Sequence, residues 1–458
     1  MRSLTLLAAL GACALVGADV EAAEPRPIAI VHGTLIDGRG GPPIPDATLL
    51  IRGGAIEAVG AGSHVAVPTD AQVIDASGKT VMPGLADLHV HLQGGWDGVS
   101  MDYLGYQLYL NAFLYAGVTT VLDTGNSQPW VLQLRQETAS GRLLGPRIYC
   151  VGAYIDGLDA EWPDLSYVLA AVSQIPDLVR REKRARVDLI KGYANLSVTL
   201  LERLVSEAAR EDLRVVVDQW DWNGSPELAA LGIAGFAHLP FRPMPAEDLR
   251  SLKDKGVFVL TTLVTEESHA RTRLADLAFL REPLIADTAA PWFLEELKAD
   301  ATRTLTEKET KEMEQARLRM AKEKTNAKKL LDAGVLIAAG TDAPYPGVFY
   351  GDGIHRELEL LVESGFTPLE AIRVATYDAA RVMKAEHEWG SLEPGRRADV
   401  LIVAGRPAER ISDTRKIDSV IQQGRILDRR GLRFDPSRNP GYRAVPLVDF
   451  FGSLATGN

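Results

Sequence analysis

Short apolar runs separated by tight-turn residues open the patterned part of the chain. Ile28–Val31, Thr48–Arg52, Ala55–Val59 and Gln72–Asp75 are each of strand length, and Gly and Pro signals such as Arg52-Gly53-Gly54 divide them. The same texture returns at Asp399–Val403, Ile417–Ile421 and Gly424–Leu427. Neither set is long enough to bury a core alone, so residues 27–82 and 388–430 are expected to pair as one small β-sandwich domain. Between them, over 83–387, apolar runs alternate with helical stretches such as Leu200–Glu211 and Pro368–Lys384. The runs are Leu85–His91, Val118–Asp123, Arg147–Val151, Val187–Lys191, Arg214–Asp218, Ile233–His238, Val257–Thr261 and Val335–Asp342. Eight strand–helix units predict an α/β fold, a (β/α)8 TIM-type barrel. An open doubly wound sheet is the competing architecture, but no Gly-x-Gly-x-x-Gly follows the first run. The charged stretch 292–332, with Glu307 and Lys311 one helical turn apart, predicts a solvated outer helix.

The ends of the chain read differently. Arg2, the apolar run Leu4–Val16 and the small residues up to Ala22 and Ala23 predict a signal peptide over 1–23, hence a periplasmic or secreted protein. Leu10-Gly11-Ala12-Cys13 resembles a lipobox, which gives a lipid anchor through Cys13 as the alternative. Elsewhere no apolar run is long enough to span a bilayer. Residues 431–458 are expected to form a C-terminal tail.

Composition narrows the classes. With 50 basic and 61 acidic side chains the 458-residue chain carries a net charge of −11, so no cationic face for nucleic acid is expected. A hydrophobic content of 46% excludes a disordered chain. Two cysteines, Cys13 and Cys150, provide no disulfide framework.

The chemistry-bearing residues collect at run ends. His89 and His91 in Asp87-Leu88-His89-Val90-His91 are two apart on a strand and so share a face, which makes the pair a chelate for a divalent metal. Lys191, His238 and Asp342 each close a predicted strand, and in a barrel that end is the active face. Substrate contacts are expected from the following loops: Tyr154, Tyr193, Trp220, Trp222, His355 and Arg356, the last as a partner for a substrate carboxylate. His269 and His387, with His32 and His64 of the small β domain, are expected to lie outside the site.

These motifs resemble the metal-dependent amidohydrolase superfamily, in its imidazolonepropionase-like and prolidase-like dipeptidase branch. The resemblance runs over residues 27–430 and rests on Pro83-Gly84-Leu85-Ala86-Asp87-Leu88-His89-Val90-His91, Val187-Asp188-Leu189-Ile190-Lys191, Gly340-Thr341-Asp342 and Gly390-Ser391-Leu392-Glu393-Pro394-Gly395-Arg396-Arg397-Ala398-Asp399. It implies that His89, His91 and Asp342 hold one metal and that Lys191, as an N-carboxylated lysine, bridges to a second. It further implies that His238 is the strand-six ligand of that second ion. The family's strand-five histidine is replaced here: the corresponding position, 20 residues before His238, is Asp218. Carboxylate is still a metal ligand, but its extra negative charge weakens the Lewis acid, and harder oxygen ligation favours Mn or Fe over Zn. One or two divalent ions per chain are expected, with Zn the first expectation. The resemblance implies hydrolysis of an amide-type C–N bond in a dipeptide, N-acyl amino acid or cyclic amide, with Asp342 as the catalytic base and then acid. The alternative is a non-catalytic binding protein on the same fold, compromised at Asp218. Small-molecule amides or peptides are the expected partners, and a homo-oligomer is a further expectation.

Overall fold

A computed structural model describes residues 26–438 apart from Trp96, Val99, Trp220 and Asp221. The predicted signal segment, with Cys13, and the tail beyond Arg438 lie outside the described residues.

The N-terminal segment forms β1 (Ile28–Leu35), β2 (Ile44–Arg52), β3 (Ala55–Ala61), β4 (Gln72–Asp75) and β5 (Thr80–Pro83). The barrel region contributes β6 (Leu85–Val90), β7 (Val118–Asp123), β8 (Arg147–Cys150), β9 (Tyr154–Asp156), β10 (Ser166–Val168), β11 (Ile190–Gly192), β12 (Val215–Val217), β13 (Gly235–Phe236), β14 (Phe258–Thr261) and β15 (Ile337–Ala339). The chain returns with β16 (Val400–Val403), β17 (Ile417–Gln422) and β18 (Arg425–Ile426).

The two terminal segments do merge. One sheet runs β18-β17-β16-β5-β1-β2-β3, with β4 also on β1, so hydrogen bonding is continuous through all eight strands. β1 is shared along its length: Ile28–Val31 pairs with β4 and Thr34–Leu35 with β5. β5 then pairs antiparallel with β16, Val400 opposite Pro83, which is where the ends of the sequence meet. Alternate residues of these strands, including Ile28, Ile30, Leu49, Ile51, Val400 and Ile402, fill one apolar core.

All eight predicted barrel runs contain a strand. Hydrogen bonds divide them into β6-β7-β8 and a seven-stranded parallel sheet β10-β9-β11-β12-β13-β14-β15. Backbone hydrogen bonds join these pieces at both seams, among them Asp188 N to Cys150 O at 2.9 Å and His91 N to Ala343 O at 2.9 Å. The interior is packed by small and branched side chains, among them Ala86, Leu88, Leu122, Val216, Leu260 and Ala338. The strands β9 and β10 were not expected; they lie in the long connection after β8, where no sustained alternation marks them.

The stretch 292–332 departs from expectation. It forms two helices, Pro291–Thr302 and Glu307–Ala333, because Thr306 and Glu309 build a reciprocal cap that starts a new helix. The longer helix is not wholly solvated: Met320, Glu323, Asn326, Ala327 and Leu330 are buried, and Asn326 donates to the carbonyls of Pro240 and Arg242. Among the described residues, no helix is long and apolar enough to cross a membrane.

Candidate metal centre and reaction cavity

Local backbone geometry turns the histidine pair inward. Ala86 and Leu88 face the barrel interior. Strict alternation would then send His89 outward, but the pairing of β6 with β7 slips between Asp87 and Val90. His89 and His91 therefore share the mouth of the barrel. Asp342 leaves extended geometry altogether, with φ of 55° three residues past β15. Its amide donates to His89 O at 2.6 Å. Asp87 fixes the preceding residue, accepting from Thr341 N at 2.9 Å and Thr341 Oγ1 at 2.7 Å. Gly340 permits this approach, since a Cβ there would lie 2.6 Å from that of His89.

Six of the predicted side chains meet at this mouth. Asp342 Oδ1 is 3.3 Å from His89 Nε2 and 3.0 Å from His91 Nε2. Asp218 Oδ2 is 3.1 Å from His238 Nε2 and 3.4 Å from Lys191 Nζ. Lys191 Nζ is in turn 3.4 Å from His89 Nε2, which links the two halves. Ligand atoms of His89, His238 and Asp342 lie within 4.8 Å of one another.

The donor set fits a divalent cation. His89 Nδ1 donates to Ala237 O at 2.9 Å and His91 Nδ1 to Gly125 O at 3.1 Å. Each bond fixes the tautomer and leaves Nε2 as a lone-pair donor aimed into the cluster. His238 Nδ1 meets Thr262 Oγ1 at 2.7 Å; burial lowers this ring, but Asp218 beside Nε2 outweighs it and holds His238 above the usual imidazole range, so it would ligate only after losing that proton. Burial, then the charges of Lys191 and His238, keeps His89 well below the usual imidazole range, so it is neutral as a ligand must be. Burial opposes ionisation of Asp218 and Asp342, but His238 and Lys191 beside the first, and His91 beside the second, hold both carboxyls below the usual range.

The cluster forms the floor of an open cavity, whose walls enclose about 480 Å³ when the adjoining solvent space is included. Tyr154 and Tyr193 line it, their rings 4.5 Å apart, with Lys191 Nζ 5.3 and 5.1 Å from the respective centroids. Tyr154 OH also reaches His91 Nδ1 at 3.2 Å. Gln93, Ser100, Met101, Trp162, Leu165 and Tyr345 add further side chains to the wall. Sequence reasoning missed these six. Tyr345, three residues after Asp342, was within reach of the same loop argument; Trp162 and Leu165 carry no periodic signal.

Three expected substrate contacts are corrected. His355 is fully buried outside the cavity, between Thr414 Oγ1 and Ala116 O, both at 2.9 Å, because the helix Asp352–Glu363 turns that face into the protein. Arg356 is spent on Glu267, at 2.7 and 2.9 Å, and on Glu359 and Glu363. Trp222 is 53% exposed and does not line the cavity. Trp220 lies outside the described residues. His269, expected to have no part, packs edge-on against Tyr345 with centroids 5.1 Å apart.

Comparison with known proteins places this geometry in context. Residues 80–427 match the profile of the amidohydrolase family. An imidazolonepropionase of Brevibacillus brevis is 24% identical over 409 residues, covering 78% of this chain and 84% of that protein. Another, from Deinococcus radiodurans, is 27% identical over 386 residues, covering 81% of this chain and 88% of that protein. Among solved structures, a Xaa-Pro dipeptidase with bound methionine is similar with a TM-score of 0.70 at 22% identity, over 88% of this chain and 99% of that one. Molinate hydrolase is similar with a TM-score of 0.71 at 22% identity, over 93% and 99%. At these identities the structural likeness speaks for the fold.

Proposed function

The chain belongs to the amidohydrolase family, and on that premise we propose that it is an exported, metal-dependent hydrolase of amide-type C–N bonds, cleaving a dipeptide, an N-acyl amino acid or a cyclic amide. The observation that carries the reading is the convergence of His89, His91, Lys191, Asp218, His238 and Asp342, scattered over the sequence, at one barrel mouth. Export rests on the sequence of residues 1–23.

His89, His91 and Asp342 would hold one divalent ion; His238 and Asp218 would hold a second, with Lys191 between. A bare ammonium repels a cation, so Lys191 would serve as a ligand only as the carbamate formed when its neutral amine adds to carbon dioxide and loses one proton. When bound, a divalent ion supplies an acidified water and polarises the scissile carbonyl. The Asp342 carboxylate takes a proton from the attacking water and returns it to the amine nitrogen as the C–N bond breaks. Its pairing with His91 and the Thr341–Asp87 bonds behind it fix the direction in which it accepts. Tyr154 and Tyr193 wall the substrate against one side of the cavity.

Metal content per chain, measured after preparation with bicarbonate, together with turnover of a panel of dipeptides, N-acyl amino acids and cyclic amides, tests the reading. One or two equivalents of metal with hydrolysis is the expected result. No metal and no turnover would leave the non-catalytic binding protein instead.

A further inference from the structure

The polarity of the cavity wall discriminates among the three substrate types just named. Among the described lining residues, Lys191 is the sole lysine or arginine. It is already committed, 3.4 Å from both Asp218 and His89, and carboxylation would reverse its charge. The four internal positions outside the described set are Trp96, Val99, Trp220 and Asp221, and none bears a positive charge. Arginines nearby in sequence are engaged elsewhere. Arg356 is held by Glu267, and Arg273 by Asp352 and Gly347 O.

What the wall offers instead is neutral. Trp162, Leu165 and Met101 form an apolar cluster with the rings of Tyr154 and Tyr193. Gln93, Ser100 and the phenol of Tyr345 are uncharged hydrogen-bonding groups, and burial pushes that phenol well above its usual range, so it donates without ionising. Asp218, His238 and Asp342 lie beneath this wall, where the ions they would hold offset the two carboxylates. A substrate carboxylate set against this wall exchanges water for phenols and amides, whereas a neutral amide carbonyl is well matched by one such donor.

We infer that this cavity selects amides whose flanking groups are uncharged, at least one of them apolar and of ring or branched-alkyl size, and rejects substrates with a free carboxylate beside the scissile bond. The inference rests on the hydrolase reading and narrows it, toward cyclic or blocked amides and away from free dipeptides and N-acyl amino acids.

Matched pairs test it on the metal-loaded protein: a leucine- or phenylalanine-containing dipeptide against its C-terminal carboxamide, and an N-acyl amino acid against its N-methylamide. Both kcat/KM and calorimetric Kd are measured. The neutral member is expected to win by at least about tenfold in each. Equal or better performance by the free acids overturns the inference. Absence of turnover for every compound counts against the hydrolase reading instead, while the order of Kd values still decides the charge selection. Trp162→Arg places a cation in the wall and should move the preference at least about tenfold toward the free acid. Met101→Arg serves if the first variant does not fold. An unmoved preference in a folded variant overturns the inference.

Discussion

Glu357 and His355 sit on the same helix, both fully buried, and burial shifts them in opposite directions. Burial pushes Glu357 up to about 7, against the help of Thr261 and of the Val264 N–H at 2.8 Å. The unfolded carboxyl loses its proton near pH 4.5 while the folded one keeps it, so this group withdraws stability as pH rises from about 4.5 to 7. Burial first, then Arg415, pushes His355 down to about 4. Here the unfolded ring gains a proton first, so stability is lost as pH falls from 6.5 to about 4. Each contributes up to about 3 kcal/mol across its window. Urea unfolding of Glu357→Gln against wild type should therefore show a difference that grows in the variant's favour up to neutral pH. His355→Asn should flatten the acid limb. Parallel curves in either comparison would remove that residue as the cause. Asp218 is the third residue whose identity matters. Asp218→His replaces an anionic oxygen by the family's neutral nitrogen and is expected to raise zinc affinity at least about tenfold relative to manganese. An unchanged metal count and preference would show that Asp218 does not ligate.

At the scale of elements, the proposed ligands sit where strands stop. β12, β13 and β15 end one, two and three residues before Asp218, His238 and Asp342, respectively. The sequence pattern ran each strand through its functional residue, because apolar alternation does not register that Asp342 turns to φ 55°. The histidine pair was legible from spacing, yet its phase depends on the β6–β7 slip, which no periodicity reveals. Asp218 closes its apolar run as the others do, but its place in the site was legible only through the resemblance, by its 20-residue distance from His238. The loop residues failed differently: Arg356 and His355 follow the correct strand, but the helix they begin rotates them toward Glu267 and Thr414. Close packing between β15 and β6 yields a test. Gly340→Ala sets a Cβ 2.6 Å from that of His89 and 2.9 Å from its amide. Overpacking of this kind costs roughly 1–3 kcal/mol, so the barrel should survive while His89 moves. Bound metal should fall at least about tenfold in affinity with only a modest drop in Tm. Full metal affinity in the variant would mean that the strands yield elsewhere.

For the whole molecule, the question is whether terminal sheet and barrel are one folding unit. A single residue, Gly84, separates β5 from β6, and its amide donates to Asp399 O at 2.9 Å across the sheet. The C-terminal segment is then anchored on the barrel's outer helices. Arg415 pairs with Asp352, with Glu359 at 2.8 Å and with Glu282 at 3.1 Å; Arg429 donates to Tyr115 O at 2.9 Å. Asp352 is fully buried and keeps only Arg273, at 2.8 Å, once Arg415 is removed. Breaking one side of a buried ion-pair network leaves an incompletely compensated charge, which costs about 3 kcal/mol or more. Because Arg415 touches both the turn before β17 and the helix after β15, that loss should be felt by both parts together. Arg415→Met is accordingly expected to lower the urea midpoint while fluorescence and circular dichroism still report one coincident transition. Two separated transitions, with the sheet lost first and bound metal retained, would instead make the terminal sheet a detachable cover, and the barrel alone the unit that holds the metal centre.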